Sequence, residues 1–196
     1  MRRTLLVASF LFLASCSSAP LPTPSAQTIL TRPLQASWHD AAFNLSESVP
    51  VEGGTNTAHG AGSLLRHPLA IAYSEVNDSQ QNPVKLEFTS VSGTDWWRIT
   101  ALPGPGNWHS TPSAPDVADP ISLWPALTSP RLVDSLPLKN TPSWHVSAEA
   151  GTSSFDLWVR QSDGYPLQII TLEAGGKSFT YDFFAYNTGA TISAPA

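Results

Sequence analysis

The fold is decided by the stretch Phe155-Asp156-Leu157-Trp158-Val159-Arg160-Gln161-Ser162-Asp163-Gly164-Tyr165-Pro166-Leu167-Gln168-Ile169-Ile170-Thr171-Leu172. In its first six residues Phe155, Leu157 and Val159 share one face and Asp156, Trp158 and Arg160 the other, the period-two pattern of a half-buried β-strand. Asp163-Gly164 is turn chemistry, and residues 167–172 read as the next strand. The pattern extends outward on both sides. Trp144 to Ala148 precedes it across Ala150-Gly151, and Phe179 to Tyr186 follows it across Ala174-Gly175-Gly176. These four segments predict an antiparallel meander. In the last one Phe179, Tyr181, Phe183 and Ala185 share a face, while Phe184 and Tyr186 fall on the other, and a sheet apolar on both faces needs two things to cover it.

Further upstream, Ala36 to Leu45, Leu64 to Val76 and Val84 to Phe88 read as strands, the last alternating Val84, Leu86 and Phe88 with Lys85 and Glu87. Trp96 to Ala101 follows the turn Ser92-Gly93-Thr94-Asp95 and predicts a hairpin with Leu86 to Val91. Residues 103–115 hold four prolines and two glycines and read as a loop. Asp119-Pro120 starts the one helix that the pattern predicts, with Ile121, Leu123, Trp124 and Leu127 at helical spacing and Pro125 near its end. The expected fold class is α+β, mostly β: an antiparallel sheet with a short helical lid.

At the other end of the chain, Arg2 and Arg3 are followed by an uncharged run to Leu13 and then by Ala14-Ser15-Cys16, the layout of a secretion signal. The run is far shorter than the roughly 20 residues of a spanning helix. From Ser17 to about Thr28 the chain is Ser, Ala, Pro and Thr and reads as a tether. The expected organisation is a signal peptide over 1–15, the cysteine with a flexible tether over 16–33, and one domain over 34–196. Charged residues are 13% of the chain and the net charge is −5, which makes nucleic acid and anionic surfaces poor partners. Seven Trp and eight Phe call for a large apolar interior, which either fills a core or lines a cavity. Cys16 is the one cysteine, so the chain has no internal disulfide.

Motifs of catalysis are sparse. Phosphate-binding glycine loops and dinucleotide fingerprints are missing. Ala61-Gly62-Ser63-Leu64 lacks the second glycine of a nucleophile elbow and reads as part of a turn. His39, His59, His67, His109 and His145 are far apart without cysteine partners, which argues against zinc. The reading is therefore of a non-enzymatic protein, with no catalytic residue, no metal and no cofactor. Trp96-Trp97 reads either as cavity lining or as one ring in the core and one over an edge, and Trp124 either as a lid residue or as a plug.

Leu13-Ala14-Ser15-Cys16 resembles the lipobox of bacterial lipoproteins, which implies that Cys16 becomes the N-terminus and carries a diacylglyceryl anchor with palmitate-type chains. Two acyl chains suffice for stable anchoring. The order of Phe155-Asp156-Leu157-Trp158-Val159, Asp163-Gly164-Tyr165-Pro166-Leu167 and Phe183-Phe184-Ala185-Tyr186-Asn187, with Ile192 and Pro195, resembles the LolA/LolB-like lipoproteins, and within them the LppX/LprG type. Asp119 to Trp124 looks like the short helix that the family places before its last four strands. Asn140-Thr141-Pro142-Ser143 departs from the pattern, since relatives usually have a glycine turn there. The resemblance covers roughly residues 34 to 195 and is sharp over the final fifty or so.

The resemblance implies a strongly curved antiparallel sheet, an unclosed half-barrel whose hollow takes up acyl chains under a helical cover. The candidate cavity residues are Phe88, Trp97, Ile121, Leu123, Trp124, Leu157, Ile169 and Phe183. The implied protein is a monomer, anchored to the cell membrane or outer membrane and facing outside the cytoplasm, that binds or carries lipid or lipidated molecules. The competing expectation is a protein-interaction or sensor module on the same fold without a ligand; an envelope hydrolase is a third.

Overall fold

The computed structural model describes residues 23–78, 83–101, 106–113 and 124–196. Cys16, Ile121, Leu123, the signal segment and the Asp119-Pro120 helix start lie outside them. The described elements are helix α1 (Ala26–Gln35) and strands β1 (Asp40–Val51), β2 (Gly54–Arg66), β3 (Leu69–Asn77), β4 (Val84–Val91), β5 (Thr94–Ala101), β6 (His109–Pro112), β7 (Thr128–Asp134), β8 (Ser143–Ala150), β9 (Ser153–Arg160), β10 (Pro166–Leu172) and β11 (Ser178–Tyr186), with a 3-10 turn at Trp124–Ala126.

All eleven strands form one antiparallel sheet in the order β6-β5-β4-β3-β2-β1-β11-β10-β9-β8-β7. The first and last strands of that order do not pair, so the sheet is not closed into a barrel. The fold is mostly β, as the alternating segments predict, and the one α-helix among the described residues is α1 rather than the segment at 121–127. Cross-strand register defines an inner face row by row. One row runs Leu86–Glu75–Gly60–Leu45–Tyr181–Ile169–Leu157–Val146, and another Trp97–Phe88–Tyr73–Gly62–Phe43–Phe183.

Several segments differ from the sequence reading, each for a physical reason. Residues 64–76 are not one strand: they are the end of β2, a turn and β3, with the turn centred on a cis His67-Pro68 bond. Most of β2 carries no alternation to read, because its inner positions are Ala58, Gly60 and Gly62. Those positions must be small. A Cβ on Gly60 would meet Ser74 O and lie 2.8 Å from Glu75 Cα, and one on Gly62 would lie 2.6 Å from both Phe43 Cζ and Tyr73 Cβ. The side chains of β1 and β3 therefore meet over β2, and Ala61 to Leu64 is strand rather than turn. Within the expected 103–115 loop, His109–Pro112 pairs with β5 as a short edge strand. The turn before β5 is the tight two-residue Ser92-Gly93, with φ of 54° and 77°, because Thr94 already pairs with Val91.

Part of the expected tether is helical. Ser25 caps α1 by accepting from Thr28 N at 3.1 Å, and Ile29, Leu30 and Pro33 are its buried face. Pro33 in the last turn, and only three buried residues, hide this helix from a periodicity reading. Its C-terminal carbonyls are held by the Arg66 guanidinium, which donates to Leu34 O and Ala36 O. The helix lies on β7, β8 and β9. At the expected helix over 121–127, the described part is the 3-10 turn Trp124–Ala126.

The two-faced apolar pattern of β11 is resolved by a bulge. Ala42 pairs with Ala185 and Phe43 with Phe183, which leaves Phe184 unpaired, 62% exposed and on the outside. Beyond the bulge Tyr186 turns inward, 6.3 Å from Trp38 and 4.8 Å from Tyr165 between ring centroids. The turn departing from the family pattern closes without glycine: Lys139 and Asn140 adopt φ of 47° and 67°, and Leu138 and Thr141 exchange both backbone bonds at 3.0 and 2.8 Å. On the outer face His145 is held by Asp156 at 2.8 Å and stacks on Trp158 at 3.9 Å, which ties β8 to β9.

Candidate functional site

The inner face is not uniform. Over β8 to β11 its side chains are buried: Phe155, Leu157, Ile169 and Tyr181 share one core cluster with Leu30 of α1 and with Trp124, and Val146 and Val159 form a second with Ile29 of α1. Trp124 is 2% exposed, and its Nε1 donates to Leu30 O at 2.9 Å, so it plugs the space between helix and sheet. On β3 the inner Ile71, Tyr73 and Glu75 are still buried, but on β4 and β5 Leu86, Phe88 and Trp97 are only half-buried.

These half-buried residues surround a hollow of about 280 Å³, lined by Glu47, Tyr73, Glu75, Leu86, Phe88, Trp97, Lys177 and Phe179. Tyr73 stacks on Phe88 at 5.1 Å, and Trp97 stacks on His109 of β6 at 5.8 Å, so the aromatic wall is fixed by its neighbours. The volume sits at the lower edge of the roughly 300–1,000 Å³ of small-molecule sites. It suits one hydrocarbon chain better than several. A larger hollow of about 480 Å³ lies at the β2–β3 end, but its walls are Thr55, Asn56, Thr57, Asn77 and Asp78, which offer an alkyl chain nothing to pack on.

One end of the aromatic hollow is charged. Lys177 Nζ lies 2.9 Å from Glu47 Oε1 and 4.5 Å from the Phe179 ring centroid. Glu75 is 6% exposed, and its Oε2 has no hydrogen-bond partner among the described residues. Burial, and then the neighbouring Glu47 carboxylate, push the Glu75 carboxyl up to about 7, with Lys177 opposing. Asp40, at the other end of β1, shows the contrary balance. Burial acts to raise it too, but Thr188 N, Thr188 Oγ1 and Gly189 N donate to its carboxylate at 2.6 to 3.0 Å and hold it below the usual range.

Of the residues expected to line a cavity, Phe88 and Trp97 stand opposite each other on β4 and β5 and form the wall of this hollow. Leu157 and Ile169 also pair with each other, and Phe183 packs 5.9 Å from Phe43, but these three belong to the filled core. Trp124 is a plug. Glu47, Tyr73, Glu75, Leu86, Lys177 and Phe179 were not anticipated. The available signal was Ile71-x-Tyr73-x-Glu75, a carboxylate on the apolar side of an alternating strand.

Among the described residues no group of three or more His, Cys, Asp or Glu is placed to hold a metal ion, and no helix is long and apolar enough to cross a membrane. No protein-family model matches the sequence, and no curated protein does. Solved structures do match. The lipoprotein LppX of Mycobacterium tuberculosis superimposes with a TM-score of 0.54 at 10% identity, covering 86% of this chain and 98% of LppX. A LolA superfamily protein of Nitrosomonas europaea gives a TM-score of 0.29 at 11% identity, covering 84% of this chain and 93% of its own. MucB, in its complex with MucA, gives 0.41 at 19%, covering 87% of this chain and 59% of MucB. An open antiparallel sheet with one α-helix among the described residues, superimposable on nearly the whole of LppX, gives this chain a fold like that of LppX.

Proposed function

We propose that this protein is a non-enzymatic lipoprotein of the cell envelope, anchored through acylated Cys16, that binds or carries a lipid or lipidated molecule in the hollow between β3, β4, β5 and β11. The observation that carries the reading is the hollow itself: Tyr73, Phe88, Trp97 and Phe179 form its aromatic wall, and Phe88 and Trp97 stay half-buried around it. The likeness to LppX, itself a lipoprotein, supports the anchoring and the architecture. The tether before α1 gives the domain room to reach away from the membrane.

Replacing Cys16 with Ser tests the anchor and prepares the test of the hollow. The variant is expected to leave the salt-washed membrane fraction, because the acyl chains supply most of the membrane affinity. Purified from a bacterial host, it is expected to carry lipid in native mass spectrometry or to take up a fluorescent acyl probe. Adding Phe88→Asp or Trp97→Asp should abolish that uptake, while Thr23→Asp in the tether should leave it intact, with thermal melts separating lost binding from lost folding. A chain that emerges lipid-free and ignores the probe overturns the lipid reading in favour of a protein-interaction module.

A further inference from the structure

We propose that the ligand of this hollow carries a protonated amine, and that the buried carboxylate of Glu75 receives it. The inference rests on the lipid-binding reading and specifies the chemistry of the head group. Glu75 stands in an otherwise apolar row, between Leu86 on β4 and, across Gly60, Leu45 on β1. A carboxylate there is costly unless it is paired and hydrogen-bonded. Its carboxyl is within hydrogen-bonding reach of Glu47, a contact that needs a proton on one of the two, while its Oε2 has no partner among the described residues, and the hollow is the space onto which Glu75 opens. The nearest cation, Lys177, is already engaged by Glu47 at 2.9 Å. From β2 the facing positions are Ala58 and Gly60, and from β4 Leu86, none of which carries charge.

With Glu75 ionised, Glu47, Glu75 and Lys177 sum to one uncompensated negative charge at the inner end of an aromatic hollow. An ammonium group supplies both the missing donor and the missing charge. A carboxylate head meets repulsion, and a hydroxyl supplies the donor alone. The aromatic wall then packs the alkyl chain, and the faces of Phe179 and Trp97 favour a cation over an anion beside them. Gly60 makes the geometry feasible, since any side chain there collides with Glu75.

The test compares dodecylamine, dodecanol and dodecanoate, each below its micelle concentration, by isothermal titration calorimetry on the full chain carrying Cys16→Ser so that its own acyl chains do not compete. At about pH 8 dodecylamine is expected to bind about tenfold or more tightly than dodecanoate, and more tightly than dodecanol. Its affinity should fall about tenfold by pH 6, as Glu75 takes up a proton near 7 and loses the charge that the ammonium needs. Glu75→Gln should erase both the amine preference and the pH dependence while still binding dodecanol. Should that variant fold poorly, the wild-type ranking and its pH profile decide alone. Equal binding of all three amphiphiles, or an amine preference that survives Glu75→Gln, overturns the amine assignment and leaves lipid binding standing. Failure of all three to bind overturns both.

Discussion

The two halves of the inner face are built from the same alternation and end differently. In β8 to β11 the inner residues are large and aliphatic or aromatic, and α1 with Trp124 lies over β7 to β9, so Phe155, Leu157 and Val159 are essentially inaccessible. On β4 and β5 Leu86, Phe88 and Trp97 are as apolar, yet they keep part of their surface open around a hollow. Alternation specifies which face is inner; what closes over that face is a separate matter, and among the described residues α1 lies only on β7 to β9. The filled half supplies stability, and the open half is where the proposed ligand would sit.

The sharpest way to break this contrast is to truncate one residue in each half. Leu157→Ala opens a void among Val146, Ile169 and their neighbours and is expected to cost about 2–5 kcal/mol in urea denaturation. Phe88→Ala removes a side chain that is only partly buried and should cost less, about 1–2 kcal/mol, while lowering acyl-probe uptake. Equal costs at the two sites would show that the open half is packed as a core.

A second comparison sets the two buried carboxyls against each other. Asp40 has a depressed pKa, so its stabilisation is fully present above the ordinary value of 3.8 and is lost as pH falls through its lower folded value. Glu75 has a raised one, so it favours the fold most below about 4.5 and progressively less as pH rises to about 7. Asp40→Asn is expected to cost about 1–3 kcal/mol at neutral pH, by weakening bonds that tie Thr188 and Gly189 to β1. Glu75→Gln should instead flatten the decline between about pH 4.5 and 7 and stabilise the protein at neutral pH. Denaturation midpoints measured across that range distinguish the two; a Glu75→Gln protein that is less stable than wild type at pH 7 contradicts the unpaired-carboxylate reading.

The smallest effect lies in the filled half. Thr171 is inaccessible, between Phe155 and Phe179 in register, and its hydroxyl has no partner among the described residues. Thr171→Val should be neutral or stabilise by up to about 1 kcal/mol, since it removes a desolvated polar group at nearly constant volume. A clear loss of stability would reveal a hydrogen bond at that hydroxyl.

How far the sequence could be read follows the same division. The strands β8 to β11 were legible because large apolar residues recur at every second position, and Phe88 with Trp97 because a short turn places them opposite each other. The strand β2 was opaque because Gly60 and Gly62 contribute space rather than hydrophobicity, and space has no period. α1 was hidden by Pro33 and by its brevity. The charged end of the hollow was out of reach for another reason: Glu47, Glu75 and Lys177 come from three distant segments, and only the register across β2 and β11 brings them together.

An open sheet of eleven strands leaves two borders whose backbone groups could recruit a neighbouring chain. Here both borders are spoiled as templates. β6 is four residues long and ends at Pro112, and β7 carries Pro130 and breaks register between Thr128 and Arg131 and again between Leu132 and Asp134. The anchor proposed at Cys16 would gather many copies of the molecule at a membrane surface, where each meets its own kind at high local concentration. Irregular borders would let it stay crowded there without polymerising edge to edge.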